Sequence, residues 1–132
     1  SLEYQGTAKL GSIGNENLTS SNFNMTIDLP SAQWGGQGNF ASSTYQATVT
    51  VPVGSGSFTP VLSQFSAPNA QLNILNSMTN LTSTGTANWQ GQVVGHQGEG
   101  VIGGITGRAL PGGIGAPVDI QTVVQGIQVI SP

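Results

Sequence analysis

The side chains that could support acid–base or metal chemistry are few and far apart in this sequence. The chain has one histidine, His96, no cysteine, and five carboxylates scattered between Glu3 and Asp119. Only Glu99 lies near the histidine, in a glycine-rich segment at residues 95–100 that is typical of a polar loop tip, with a weak ion or ligand contact as the alternative. A metal site needs several such ligands together, and a glycosidase needs two carboxylates across a cleft. The sequence therefore predicts no metal and no cofactor.

Two further motifs of enzyme chemistry lack the surroundings that they need. The chain contains no Gly-x-Ser-x-Gly elbow, so a Ser-His-Asp site would require His96 to meet Asp28 or Asp119 through folding alone. Residues 98–103 match the Gly-x-Gly-x-x-Gly pattern, but dinucleotide binding requires a helix after the glycines. The residues that follow, Gly104-Ile105-Thr106-Gly107, do not favour a helix. We therefore predict that the protein is not an enzyme.

Charge is scarce along the whole chain. Two Lys/Arg and five Asp/Glu give a net charge of -3, and only 5% of the 132 residues are charged, against about a quarter in ordinary soluble domains. So few basic groups cannot neutralise the phosphates of a nucleic acid or bind an anionic membrane surface. No apolar run approaches the roughly 20 residues of a spanning helix. Nucleic-acid binding and membrane insertion are both excluded by these counts.

The polar character comes from uncharged Ser, Thr, Asn, Gln and Gly, a composition that favours an extracellular or cell-surface location. Asn-x-Ser/Thr triplets begin at Asn17, Asn24 and Asn80. In an exported protein such triplets are acceptor sites for N-linked sugar, although a chain rich in Asn and Thr also contains them by chance. We expect these three asparagines to be the glycosylation candidates.

The elements that must position these residues are predicted to be β-strands. Apolar and polar residues alternate in several segments, which gives each segment one apolar face. The clearest is residues 45–53, in which Pro52 marks an edge or the end of the strand. The other alternating sets are Leu2, Tyr4, Ala8 and Leu10; Phe23, Met25, Ile27 and Leu29; Ala87, Trp89, Gly91 and Val93; Val101, Gly103 and Ile105; and Val118, Ile120, Thr122 and Val124.

Two places depart from simple alternation. After Gly126 the apolar positions shift by one residue, to Ile127 and Val129, which predicts a β-bulge near the glycine. Phe58, Val61, Leu62 and Phe65 recur at helical spacing behind Thr59-Pro60, which predicts one or two helical turns. Residues 72–78 fit strand and helix equally well.

Turn signals at residues 11–17, 30–38, 54–57, 95–100 and 111–117 separate the strands at a spacing that suits a meander. The fold class predicted is all-β, a single domain over residues 1–132. It is an antiparallel barrel or sandwich of about seven or eight strands, with at most one short helix near residues 59–66.

Trp34 is the aromatic residue that we predict to be exposed. It lies in Gln33-Trp34-Gly35-Gly36, outside any alternating run, where a flat ring could stack on a sugar. Tyr4, Tyr45 and Trp89 instead share the parity of apolar neighbours. Aromatic residues in such positions are predicted to belong to the core.

The shortage of charge also bears on the sheet edges. Exposed edge strands are normally protected by Lys, inward charges or Pro, and this chain has one Lys and one Arg. Either the sheet closes on itself or another copy covers its edge. Donor-strand exchange would do the latter, with residues 2–10 and 118–130 as candidate donor strands. The predicted interface residues are Leu2, Tyr4, Ala8, Leu10, Val118, Ile120, Val124, Ile127 and Val129.

A family resemblance rests on three segments: Tyr4-Gln5-Gly6-Thr7-Ala8, residues 22–29, and the glycine-punctuated residues 85–110. They resemble the eight-stranded barrel domains of the transferrin-binding-protein-B type. The resemblance implies a secreted or surface-anchored, non-catalytic binding module. In composition the chain also resembles subunits of bacterial and archaeal extracellular filaments.

Two functions follow from these observations. The first is a self-assembling structural subunit of an extracellular filament or surface layer, whose partners are other copies of the chain. The alternative is a monomeric closed barrel at the cell surface that binds a protein, a glycan or a small apolar ligand.

Overall fold

The computed structural model describes residues 1–130, and most of them lie in β-strands. The strands are β1 (Leu2–Ile13), β2 (Glu16–Asn17), β3 (Ser20–Asp28), β4 (Gln33–Ala41), β5 (Tyr45–Thr59), β6 (Gln64–Asn76), β7 (Leu81–Val94), β8 (Gly100–Pro111) and β9 (Val118–Gln128). Over residues 1–130 the chain forms no helix with the length and apolar character needed to cross a membrane.

The long strands form an antiparallel meander that closes into a barrel. Each strand from β4 to β8 pairs with both of its sequence neighbours, and β1 pairs with both β3 and β9. The two-residue β2 is a short addition to the far end of β1. Of the two predicted architectures, barrel and sandwich, the structure has the barrel. Each of the eight long strands has a neighbour on both sides, so closure rather than charge protects the edges.

Three tight turns connect strands in the middle of the meander. Residues 29–32, 60–63 and 77–80 are four-residue connections, and each ends in a residue with a left-handed backbone: Ala32 (φ 55°), Ser63 (φ 54°) and Asn80 (φ 59°). The helical turns expected near residues 59–66 are therefore absent, because Pro60 begins a reverse turn that is closed by a hydrogen bond from Ser63 N to the Pro60 carbonyl at 3.2 Å. Phe58 and Phe65 are cross-strand partners that face the core.

The barrel interior is filled by side chains, and aromatic rings form its centre. Trp34 packs edge-to-face against Phe65 and Trp89, with ring centroids 5.2 Å apart in both pairs. Phe23 meets Trp89 at 5.8 Å in the same geometry. The prediction that Trp34 is exposed was wrong: only 1% of it is accessible, and its Nε1 donates a hydrogen bond to the Ser66 carbonyl at 3.2 Å.

Inward-facing glycines make room for these rings. A Cβ atom added to Gly6 would lie 2.6 Å from the ring of Phe23, and one added to Gly91 would lie 2.6 Å from the ring of Phe65. A Cβ on Gly56 would lie 2.3 Å from Trp34 Nε1. Large and small side chains thus alternate across the interior, as filling a narrow barrel requires. Much of the chain's glycine is explained by this packing.

Two residues predicted to face inward, Leu10 and Ile127, face outward in the structure. A register shift in β1 between Ala8 and Leu10 turns Leu10 outward, where 74% of it is exposed, although alternation had placed it with Tyr4. The bulge expected near Gly126 is absent, because β9 pairs with β8 without a register shift. Ile127 therefore lies on the outer face and is 70% exposed.

Two segments predicted to be turns lie within strands. Residues 54–57 belong to a large irregularity in β5, where the register with β6 jumps between Thr50 and Ser57. Residues 30–38 contain most of β4, whose inward positions include Trp34, Gly36 and Gly38. Glycine at inward positions hides the apolar alternation that would have revealed this strand.

Candidate binding site on the outer wall

The outer wall of the barrel is the surface on which a ligand could bind, because core side chains occupy the interior. This wall is almost uncharged. Its outward strand positions carry mainly Thr, Ser, Asn and Gln, and its charged side chains within residues 1–130 are Glu3, Lys9, Asp28, Arg108 and Asp119. A surface of this kind offers hydrogen bonds without a strong electric field.

One pair of these charges neutralises itself across strands β8 and β9. Arg108 Nε and Nη2 donate to the two oxygens of Asp119 at 2.7 and 3.1 Å. The hydrogen bond and the opposite charge raise the pKa of Arg108, and the hydrogen bond from Arg108 lowers the pKa of Asp119. Both side chains are more than half exposed, so this pair contributes little to stability and leaves the wall locally neutral.

A groove of about 770 Å³ lies on the outer face of β6, β7 and β8 and extends to β9. We call it the amide groove. Its lining contains four carboxamides, three hydroxyls and two exposed aliphatic side chains, with no charged residue. The residues are Thr59, Gln64, Phe65, Ser66, Asn88, Gln90, Gly91, Gln92, Ile102, Gly103, Gly104, Thr106 and Val123.

The groove exists because Gly104 has no side chain at an outward position. Its cross-strand neighbours are Gln90 on β7 and Val123 on β9. Ile102 and Thr106 lie two residues away along β8 and share its face, because side chains alternate along a strand. Four side chains therefore surround a patch of bare backbone, which produces a depression in an otherwise convex wall.

The polar groups of the amide groove are available to a ligand. Among the described residues, the side chains of Gln64, Asn88, Gln90 and Gln92 make no hydrogen bond within the protein. A carboxamide presents two donors and one acceptor oxygen. Ile102 and Val123 are 45% and 51% exposed beside them. The groove can thus form hydrogen bonds of both senses while covering an apolar surface.

A second groove, of about 600 Å³, crosses the outer face of β3, β4 and β5. It contains a carboxylate, Asp28, which accepts a hydrogen bond from Ser31 Oγ at 2.6 Å. Of its three lining glycines, Gly35 is covered by the β5 irregularity, since an added Cβ would lie 2.8 Å from Val53 Cα. This glycine is needed for packing within the protein.

The carboxylate of Glu16, in β2, accepts hydrogen bonds from the turn between β4 and β5. Glu16 Oε1 accepts from Ser42 Oγ at 2.7 Å and from Thr44 N at 2.9 Å, and Oε2 accepts from Thr44 Oγ1 at 2.5 Å. The bonds from Thr44 and Ser42 hold the pKa of the Glu16 carboxyl below its ordinary value, against a smaller opposing effect of burial. Glu16 joins the connection after β1 to the turn between β4 and β5.

We expect Glu16→Gln to reduce stability at neutral pH and to remove part of its acid dependence. A carboxyl whose folded-state pKa is lowered stabilises the fold above its unfolded pKa, about 4.3 for Glu, and this contribution is lost as the pH falls through the folded-state value. Urea unfolding at pH 7 and at successively lower pH values should show the gap between wild type and variant narrowing below about pH 4. A gap independent of pH would contradict this charge-based role.

Two of the residues considered for catalysis, His96 and Asp119, are far apart. His96 lies in the loop between β7 and β8, and Asp119 lies at the other end of the barrel, where β9 begins beside the end of β8. Glu99 uses its side chain within its own loop, accepting a hydrogen bond from Gln97 N. Over residues 1–130 no three His, Cys, Asp or Glu side chains form a group able to hold a metal ion.

A core tyrosine, Tyr4, holds the loop between β7 and β8 against the barrel. Tyr4 Oη donates to the Gly98 carbonyl at 2.8 Å, and burial, together with the charge of Glu99, raises the pKa of Tyr4. The glycine pattern at residues 98–103 leads from this loop into strand β8, with no helix after it. The arrangement that binds a pyrophosphate is therefore not formed here.

The three asparagines of the acceptor triplets all lie on the surface. Asn17 is in β2, Asn24 is on the outer face of β3, and Asn80 ends the turn between β6 and β7. Their glycosylation stays a prediction.

The predicted donor strands are paired with each other inside one barrel. Tyr4, Ile120 and Val124 are buried in its core, and Leu2, Ala8 and Val118 pack against that core. Leu10 and Ile127 face outward, and Val129 N donates to the Glu3 carbonyl at 2.8 Å. With β1 and β9 occupied in this way, the structure gives no support to donor-strand exchange or to a filament.

Sequence reasoning did not find the amide groove. Its members lie on strands β6 to β9, and the register that brings Gln90, Gly104 and Val123 into one row is set by strand pairing. The available signal was the glutamine at alternate positions in Gln90-Gly91-Gln92, opposite the parity of Trp89. That parity places both amides on the outer face.

The fold is a closed, eight-stranded, up-and-down barrel, and it is similar to a solved structure of another protein. That structure is a mutant of the vaccine antigen transferrin binding protein B from Haemophilus parasuis, with a TM-score of 0.50 and 13% sequence identity. The similarity covers 99% of this chain but 26% of that one. No family model and no curated protein sequence matches the chain. The resemblance predicted from sequence is confirmed at the level of the fold.

Proposed function

We propose that this protein is a non-enzymatic binding module of the cell surface or extracellular space, which uses the outer wall of a closed barrel to hold its ligand. The observation that carries the proposal is the amide groove: about 770 Å³, lined by exposed aliphatic groups and by amides without a hydrogen-bond partner among the described residues. His96 and Asp119 lie at opposite ends of the barrel, which supports a binding function over the Ser-His-Asp site considered from the sequence. The barrel of transferrin binding protein B, a protein named for its binding of another protein, supports the same class.

This proposal replaces the self-assembling subunit as the preferred function. A filament built by strand exchange needs an open strand position, and the pairing of β1 with β9 fills it. The wall strands are all paired on both sides, so association through backbone hydrogen bonds has no long edge to use.

The proposal predicts a monomer in solution. Light scattering on the purified protein should give one species of 13.4 kDa from micromolar to near-millimolar concentration. A variant lacking residues 1–10 provides the positive control, because it leaves the edges of β3 and β9 unpaired and should associate. Polymers of the intact chain that grow with concentration would refute the monomeric module and restore the filament hypothesis.

A further inference from the structure

At nearly every strand position that glycine occupies in this barrel, the structure requires a residue without a side chain or with a left-handed backbone. At most of them an added Cβ would lie under 3.0 Å from a neighbouring heavy atom, at Gly100 it would lie at 3.3 Å, and Gly54 has a φ of 80°. Gly104 is different. The nearest heavy atom to its Cβ would be the Thr122 carbonyl oxygen at 3.6 Å, an ordinary contact, and its φ lies outside the left-handed region.

This glycine lowers stability without a local benefit. In the interior of a strand, Gly is less stable than Ala because it loses more backbone freedom on folding. Gly in such a position often marks a site where a ligand or another backbone comes close to the strand. Gly104 lies at the floor of the amide groove, between Gln90 and Val123, so the close approach would come from outside the barrel.

The residues that line the amide groove determine which class of ligand it can bind. With no charged side chain present, it offers nothing to pair with an anionic or cationic ligand. A wholly apolar ligand would leave buried amides unpaired, which is unfavourable. Protein partners usually depend on Trp, Tyr or Arg anchors, and the groove presents none of these.

A neutral sugar matches the groove on each of these points. Its hydroxyls both donate and accept hydrogen bonds, as the carboxamides of Gln90 and Gln92 do. The carbon–hydrogen face of the ring can cover aliphatic surface such as Ile102 and Val123. The bare backbone at Gly104 leaves space for the thickness of the ring.

We propose that the amide groove is a binding site for a neutral saccharide and that Gly104 is the point where a sugar ring rests on strand β8. The inference depends on the proposed binding function and narrows it to one ligand class. It also explains why glycine stands at a position where alanine would fit and would stabilise the strand.

Nuclear magnetic resonance titration of the intact protein tests this directly. The probes are neutral hexasaccharides of glucose, mannose and N-acetylglucosamine, with a hexauronate as the charged comparison. At least one neutral probe should shift the Gly104 backbone amide and the side-chain amides of Gln90 and Gln92, whereas the hexauronate should not. Gly104→Leu should weaken binding at least about tenfold, because the leucine side chain would occupy the space of the sugar ring.

Two matched variants separate lost binding from lost folding. Gly112→Leu adds the same side chain in a loop where a Cβ meets no atom within 4 Å, and it should bind like the wild type. Gly104→Ala should weaken binding while its melting temperature stays equal to or above that of the wild type. Unchanged affinity in both Gly104 variants, or no binding of any neutral probe, would overturn the saccharide proposal.

The outcomes also separate this proposal from the proposed function. If a peptide or protein binds and Gly104→Leu blocks it, the saccharide is wrong and the binding module stands. If the intact chain polymerises, the binding module itself is wrong.

Discussion

Trp89→Ala should destabilise the barrel by about 3–5 kcal/mol, the usual cost of removing a fully buried large aromatic side chain. Trp89 is completely inaccessible and packs against both Phe23 and Trp34, so its loss leaves a cavity at the centre of the core. A domain of this size has roughly 5–15 kcal/mol of stability in total. Thermal unfolding followed by circular dichroism should show the melting temperature falling by roughly 10–20 °C.

Replacing each of the two tryptophans by phenylalanine tests the role of its indole N–H group. Trp34 Nε1 donates to the Ser66 carbonyl at 3.2 Å, whereas Trp89 Nε1 has no acceptor among the described residues. Trp34→Phe therefore loses a hydrogen bond, while Trp89→Phe removes an unpaired buried donor. Trp89→Phe should be the milder change by about 1 kcal/mol or more. Equal costs would show that the Trp89 indole is hydrogen-bonded in solution.

Gly6→Ala should be nearly as damaging as the loss of a core ring, although it adds a single methyl group. The new Cβ would lie 2.1 Å from the Gln125 carbonyl oxygen and 2.5 Å from Gly126 Cα, and both are backbone atoms of the paired strand β9. Backbone atoms in a closed barrel cannot move aside without disturbing the pairing that closes it. We expect a loss of about 3 kcal/mol, the upper part of the range for overpacked cores.

Gly104→Ala is the matched control for Gly6→Ala. Both positions are strand glycines, and both substitutions add the same atoms, but at Gly104 the closest heavy atom is 3.6 Å away. The control should be neutral or stabilising by about 0.5 kcal/mol, because alanine restricts the unfolded chain. Urea denaturation of both variants checks this, and similar stabilities would contradict the proposed role of Gly6 in barrel closure.

Alternation of apolar residues was sufficient to predict much of this fold. Strand β5 was recognised from residues 45–53, where inward Ala47, Val49 and Val51 alternate with polar positions. Because the chain has few charges to protect an exposed strand edge, the sequence predicts that the sheet edges are covered. The structure confirms this, since the sheet closes on itself. These predictions succeeded because burial of one face follows directly from the period of a strand.

Other parts of the fold depend on contacts that the local sequence does not show. Strand β4 was taken for a loop because Gly36 and Gly38 occupy inward positions and carry no apolar side chain. Trp34 was judged exposed for the same reason. The outward turn of Leu10 results from a register shift in β1, which only its pairing with β9 reveals. The amide groove likewise depends on a row of residues from three strands.

The pairing of the first strand with the last has a consequence for how the protein is made. Tyr4 is opposite Gln128 and Ile13 is opposite Ile120, so β1 cannot gain its second neighbour until the residues of β9 have left the ribosome. Contacts between such distant residues form slowly. Until they form, the nascent chain carries exposed strand edges and little charge to keep neighbouring chains apart. Synthesis of this barrel thus contains a period in which a chaperone that shields β-strands would be most useful.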